Sequence, residues 1–476
     1  MLAVSCLVAA CALETPEQQP TPPDVSPVRT QTTGTLRLAN PRIQPIDRDV
    51  LTIDLDRVMR VASLDNVGIR EARQRVEASH GQLEAAAAAV LPTIGPGAAL
   101  MHLQGFDIDN LGVLQAAHYT TLNPAILVHW AVNPGQVYFD VVASRKRLLA
   151  SERQERSIVM QTVRTAALQY YDLVFAQARV EVARQALSQA KELVRLSLKR
   201  VDAGFGLPVD VSRSKATLAA RRQELLVALN AFTKASVTLA STLYLDPAVT
   251  LIPRSRALVA TSLVRNDLGL RQLVALAVRW HPDLQAVRDL AAAAGADADA
   301  IIWGAGLPML QAGYQPGEFG SRVPGTTFPL RNQEIATANI GWVLNPAIFG
   351  QTRTAGANQQ IAELEVKRLL EQVAAQVVAA LEDSSTDAQL ITLAKQQESA
   401  AQDALRITQE NFEIGTALFL DVLQAQDAFN QARLNQATAI TSYNQAQVNL
   451  LMALGLIDQA KVAAASAAAA KARAAH

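Results

Sequence analysis

The stretch from Gly204 to Leu245 occurs twice in this chain. Shifted by 211 positions it becomes Gly415 to Leu456, and 11 of the 42 aligned residues are identical without a gap. The matching pairs include Gly204 with Gly415, Leu207 with Leu418, Asp210 with Asp421, Val211 with Val422 and Arg222 with Arg433. A chain made of two related halves is not a row of independent domains. The length prior of roughly three domains therefore yields to a single elongated body.

In each copy a glycine turn separates two long helical patterns, so the unit is a helical hairpin bent at Gly204 or Gly415. After the bend, Leu225, Leu229, Phe232, Leu239 and Leu243 recur at the steps of a coiled-coil seam, as do Ile440, Tyr443, Leu450 and Leu454 in the second copy. Before it, Asp140 to Val201 contains neither proline nor glycine and carries Val159, Val163, Ala166, Tyr170 and Val174 along one face. The second half repeats this from Thr352 to Ile414, with Leu370, Val373, Val377 and Leu381 in line. About sixty helical residues span roughly 90 Å, more than a globular domain can use.

Upstream of each long helix the halves again agree. A first helix is expected over Leu51 to Val90, stopped by Leu91-Pro92; its counterpart runs from Leu268 to Ala305 and stops at Leu307-Pro308. A Gly-rich, weakly strand-like stretch follows each stop, Thr93 to Phe106 or Met309 to Tyr314. Segments read as loops come next, Gly105 to Asn123 and Pro316 to Glu334. Clear alternation then marks a second strand, with Ile126, Val128, Trp130 and Val132 in one half and Ile340, Trp342 and Leu344 in the other. Four strands are too few to close a barrel, so closure would take several chains. Trp130 and Trp342 suit interfacial anchors facing lipid, or the cover of an ordinary sheet face.

Composition narrows the partners. With 43 basic and 43 acidic residues and no basic run, nothing recruits nucleic acid. Only 5% of residues are aromatic while alanine is abundant, which favours closely packed helices over a thick core. Beyond the N-terminus no uninterrupted apolar run of 18 residues appears, so no ordinary transmembrane helix is visible; barrel strands escape that test. The first eleven residues are apolar and end in Val8-Ala9-Ala10-Cys11, which resembles the lipobox of bacterial lipoproteins and makes Cys11 the expected lipidation site. An ordinary cleaved signal is the alternative. The segment has no Lys or Arg and is short, as it would be if translation began upstream. The division expected is 1–11 signal and lipobox, 12–50 extended tether, 51–245 first repeat, 246–267 equatorial linker, 268–456 second repeat, and 457–476 an Ala-rich disordered tail.

No catalytic constellation survives inspection. His80, His102, His118, His129, His281 and His476 are scattered without metal-ligand spacing, and no HExxH, GxSxG or Walker A pattern occurs. Neither an enzyme activity, a metal nor a cofactor is expected.

With the order of helix, two strands and long hairpin repeated twice, and with Gly204 followed by Asp210-Val211 and Gly415 by Asp421-Val422-Leu423, the chain resembles the TolC family of outer-membrane efflux proteins, in its lipoprotein branch. The resemblance covers roughly Leu51 to Leu456. It implies a mainly α fold with a small β part, assembled as a homotrimer. Four strands from each chain would build a twelve-stranded barrel in the outer membrane, and the helices a periplasmic tunnel. It also implies that Gly204, Leu207, Asp210, Val211, Gly415, Leu418, Asp421 and Val422 form a periplasmic tip where an adaptor of an inner-membrane pump docks. The protein would then be a passive, lipid-anchored exit duct. Leu207 and Leu418 depart from the Ser or Thr often found there, and Pro208 replaces a helix former, which implies either docking by apolar and backbone contacts or an atypical adaptor. As plain structure, the glycines suit simple turns and the two aspartates suit the first turn of a helix. A periplasmic adaptor is the alternative function, and a type I protein secretion duct the alternative cargo.

Overall fold

The computed structural model describes residues 25, 35–37, 49–64, 66–108, 112–204, 206–254, 257–265, 267–323, 327, 329–343 and 345–457. Cys11, Leu344, most of the tether and the tail beyond 457 lie outside them. In chain order the elements are β1 (Thr35–Arg37), β2 (Val50–Ile53), α1 (Leu55–Leu64), α2 (Val67–Ala88), β3 (Thr93–Ile108), β4 (Leu114–Val132), α3 (Pro134–Asp202), α4 (Pro208–Thr242), β5 (Thr250–Pro253), β6 (Ala257–Val259), α5 (Leu270–Trp280), α6 (Pro282–Gly306), β7 (Met309–Arg322), β8 (Arg331–Gly341), α7 (Ala347–Glu413) and α8 (Phe419–Ala453). The fold is mainly helical with a small β part, as the repeat implied.

Two compact units divide the chain, and α3 and α7 contribute to both. The first unit gathers Met1–Asn66, Val159–His281 and Gln372–His476. Its core includes Ile53, Phe232, Leu239, Leu251, Leu258, Leu273, Ile440 and Leu454. The seam expected after each glycine turn points inward in both hairpins, most completely in α8. Two short strand pairs lie beside it, β1 antiparallel to β6 and β2 parallel to β5. Beyond β6, the backbone takes its partners from amides on α8. Asn444 accepts from the Thr261 N–H at 2.8 Å and donates to Val259 O at 2.9 Å, while Gln447 Oε1 accepts from Leu263 and Val264. Buried amides on α8 therefore stand in for a neighbouring strand, satisfying main-chain groups that burial would otherwise leave unpaired.

The expected first helix, Leu51 to Val90, is corrected: Val50–Ile53 is a strand paired with β5, and the remainder is the two helices α1 and α2. Asp54 ends the strand by accepting from the Arg57 N–H at 2.8 Å, a helix cap. The counterpart Leu268 to Ala305 likewise splits into α5 and α6 at His281-Pro282, because Pro282 has no N–H to continue α5 but suits the first position of α6. The helix α4 is long and apolar enough by length and composition to cross a membrane, although its first half carries Arg213, Lys215, Arg221, Arg222 and Glu224.

The second unit gathers Val67–Ile158 and Pro282–Glu371 around one antiparallel sheet in the order β3-β4-β7-β8. Here the loop expectation is overturned. Most of Gly105 to Asn123 and Pro316 to Glu334 is strand: β3 pairs with β4 from Thr93↔His129 through Ile108↔Leu114, and β7 with β8 from Met309↔Gly341 to Phe319↔Arg331. Their Gly, Pro, Asp and Thr residues read as turn formers, yet pairing across the antiparallel ladder makes most of these segments strand. Trp342, read as a strand residue, falls one position past β8.

The Asn-Pro pair that ends each strand pattern is a joint. Asn133 Oδ1 accepts from the N–H groups of Gly135 and Gln136, both at 3.1 Å, capping α3 with Pro134 at its first position. Its Nδ2 donates to the carbonyls of Gly304 and Leu307 at 2.6 and 3.2 Å, at the end of α6. One side chain thus serves the start of one helix and the end of another. Among the described residues Asn345 makes the capping half alone, accepting from Ala347 N–H at 3.0 Å. Each tryptophan closes the other helix end in the same way, Trp130 Nε1 on Val90 O at 2.7 Å and Trp342 Nε1 on Gly306 O at 3.3 Å. Asn133→Ala should therefore cost about 2 kcal/mol and Asn345→Ala about 1 kcal/mol, read as a larger drop in the denaturant midpoint for the first variant than for the second.

Candidate functional site

The residues singled out at the hairpin bends lie in the first unit. Both glycines adopt the left-handed conformation, φ +80° at Gly204 and +89° at Gly415, where a side chain would be strained. At Gly415 the amide bonds to Phe412 O at 3.2 Å and the Thr416 amide to Asn411 O at 2.9 Å, the paired bonds that end a helix on glycine. The chain then restarts at once. Leu207 and Leu418 stand at the N-caps of α4 and α8, where neither can offer a side-chain oxygen, and they are 62% and 71% exposed.

Equivalent residues do different work in the two bends. Asp421 accepts from the Leu418 N–H at 2.9 Å, securing the first turn of α8. Asp210 instead faces Arg213 at 3.5 Å, and Pro208 supplies the rigid first position of α4. Val422 is 1% exposed in a cluster with Leu193, Phe412 and Phe419, whereas Val211 is only half-buried. The second bend is therefore the packed one.

The two bends are tied together by arginines that the repeat comparison does not pick out. Arg200 Nη1 donates to Phe412 O at 2.9 Å, and its guanidinium lies 4.3 Å from the centre of the Phe412 ring. A cation there meets both an aromatic face and the negative end of α7. Arg221, in α4, pairs with Asp427, in α8, and with its own-helix neighbour Glu224 at 2.8 Å. Charge follows the same division. Residues 191–224 hold eight basic and four acidic side chains, and 402–435 two basic and five acidic. Reading the charge of each copy separately would have shown this asymmetry; aligning the copies for identity conceals it.

In the second unit a hollow is lined by Gln136, Asp140, Asp297, Ile301 and Gln351. Burial, and then the Asp297 carboxylate, raise the Asp140 carboxyl above its ordinary value, while Arg147 donates to Asp297. A raised carboxyl means that the folded chain holds a proton the unfolded chain has already lost, so stability falls as pH rises through that interval. Asp140→Asn removes the penalty. The variant should unfold at a higher temperature than the parent at pH 7, with the difference gone below about pH 4, where a free carboxyl is itself protonated. Thermal melts across pH test this.

Among the described residues no group of three or more His, Cys, Asp and Glu side chains is placed to hold a metal.

Comparison with known proteins agrees with this arrangement. A family model described as outer membrane efflux protein matches residues 59–243 and 275–456, one segment in each half. The structure of the outer-membrane channel OprN is similar with a TM-score of 0.72 at 19% identity, covering 91% of this chain and 98% of that one. The outer membrane protein VceC of Vibrio cholerae gives 0.71 at 19% identity over 84% and 96% of the two chains. The CmeC outer membrane channel of Campylobacter jejuni gives 0.69 at 15% identity over 94% and 96%. At such identities these likenesses speak for the fold. No curated protein sequence matches the chain significantly.

Proposed function

This chain belongs to the outer membrane efflux protein family, and on that premise we propose how its geometry makes the exit duct of a tripartite pump. The observation that carries the reading is the open sheet. Among the described residues, strands β3 and β8 are each paired on one side only, leaving edges of 16 and 11 residues. In hydrocarbon such edges must be paired, since no water is available to their N–H and C=O groups. Three copies contribute twelve strands and close the barrel.

The faces of the sheet support the same assembly. By register, Ile94, Leu100, Leu122, Ile126, Val128, Trp130, Leu310, Tyr314 and Ile340 share one face, interrupted by Glu318 and Glu334, and Gly95, Gly97, Asn123, Gln311, Gln315, Thr337 and Asn339 share the other with Met101, Leu127 and Ile335. The apolar face meets lipid, with Trp130 and Trp342 at its inner border, and the small and polar face lines the lumen. On α7, Phe349, Ile361, Leu364, Leu393 and Ile407 are exposed in the single chain. A homotrimer covers them against neighbouring helices.

A periplasmic adaptor meets the bends, using exposed Leu207 and Leu418 beside Gly204 and Gly415, with Asp210, Val211, Asp421 and Val422 holding the turns. An inner-membrane pump supplies the energy, and the Arg200 and Arg221 contacts yield when the tip opens. Lipidation of Cys11 adds an anchor in the outer membrane. No catalytic step is assigned to the chain. The adaptor reading is not favoured, since both halves match the channel family.

Detergent-extracted protein should image as a threefold particle with a barrel at one end and weigh three times the mature chain; a monomer, or a particle without a barrel, overturns the assembly. The double variant Leu207→Asp, Leu418→Asp should keep that assembly and lose adaptor binding roughly tenfold or more in pull-down titration, as removal of a central apolar contact does. Undiminished binding would move the docking surface elsewhere.

A further inference from the structure

The histidines that look scattered in the sequence include two that the sheet brings together. His102 lies on β3 and His118 on β4. The register pairs His102 with Thr120 and Gln104 with His118, so the two imidazoles stand diagonally on the same face of adjoining strands. Their ring centres are 5.5 Å apart and the rings meet edge-on at 74°. Two imidazoles bound to one tetrahedral ion through bonds of about 2.0 Å have ring centres about 5 Å apart, close to the separation of this pair, and rotation about the side-chain bonds would bring a nitrogen of each ring toward a shared ion. Nδ1 of His102 is 2.9 Å from Thr120 Oγ1. In the tautomer with the proton on Nδ1, that N–H donates to the hydroxyl and Nε2 presents its lone pair to an ion. This is the supporting contact that orients metal-binding histidines elsewhere.

We propose that His102 and His118 chelate one divalent transition-metal ion on the outward-facing side of the sheet, beyond the bilayer. The depth assignment rests on the barrel reading. His118 is twelve residues along β4 from Trp130, about 40 Å of strand. At the usual tilt that is about 30 Å along the barrel axis, more than the roughly 25 Å apolar band of such barrels. On this face Ile126, Val128, Leu122 and Leu100 lie on the part nearer Trp130; Glu334, Glu318 and Asn332 interrupt it on β7 and β8 between the levels of Ile126 and Leu122, and Arg322, opposite Thr120, lies level with the histidines. Both histidines are exposed, so an ion reaches them from solvent and completes its coordination with water. Imidazole nitrogens without thiolates select copper(II), nickel(II) or zinc(II) over magnesium or calcium, with copper(II) held tightest. A bound ion would pin the β3–β4 register near its hairpin end.

Full-length channel without a polyhistidine tag, stripped with a chelator and held in detergent, is titrated calorimetrically with Zn2+ and with Cu2+. One ion per chain is expected, with Cu2+ tighter than Zn2+. His102→Ala and His118→Ala should each abolish the binding, and Thr120→Val should weaken it roughly tenfold. His129→Ala, on the opposite face, should leave it unchanged. Size-exclusion profiles identical to the parent establish that the variants are folded. Binding that survives both histidine substitutions, or no binding to the parent, overturns the proposal. A threefold barrel with no binding sinks the chelate alone, whereas binding in a particle without a barrel sinks the duct reading and leaves the chelate standing.

Discussion

Backbone polar groups that cannot be left unpaired are the constraint on which the rest of this structure depends. A sheet with one apolar face and two bare edges is not a stable end point for a single chain. The same demand recurs wherever strand meets helix. Asn133 and the two tryptophans place side-chain donors and acceptors on the loose ends of α2, α3 and α6, so the chain passes from ladder to helix with almost no loop. Short joints of this kind fix the direction in which each long helix leaves the sheet.

The duplication is a symmetry of chain path rather than of energetics. Both bends turn on a left-handed glycine, yet only the second carries a carboxylate cap and a buried valine. The first carries the cations and the second the anions that answer them. Arg200 and Arg221 join the two, so each bend is stabilised in part by the other. Loss of identity between copies thus accompanies a gain in complementarity.

The hairpins, their bends and the Leu-Pro stops were legible because they depend on short-range rules: helical period, glycine at positive φ, proline without an N–H. The strands were legible only where apolar and polar residues alternate, as at Ile126 to Val132. From Gly105 to Asn123 the residue types favour turns, and only pairing across the ladder makes them strand. Likewise, Leu51 to Ile53 continues a helical pattern on paper but pairs with β5, 200 residues away in sequence.

By itself, then, the sequence determined the two-fold repeat, the long helices, the family resemblance and the exclusion of familiar catalytic motifs, all properties of residues near one another along the chain. Only the tertiary structure decided the strand lengths and register, the arginine ties between the bends, the unequal burial of Val211 and Val422, and the meeting of His102 with His118. Each of these depends on which distant segment lies alongside, and a residue's own type and spacing carry no record of that.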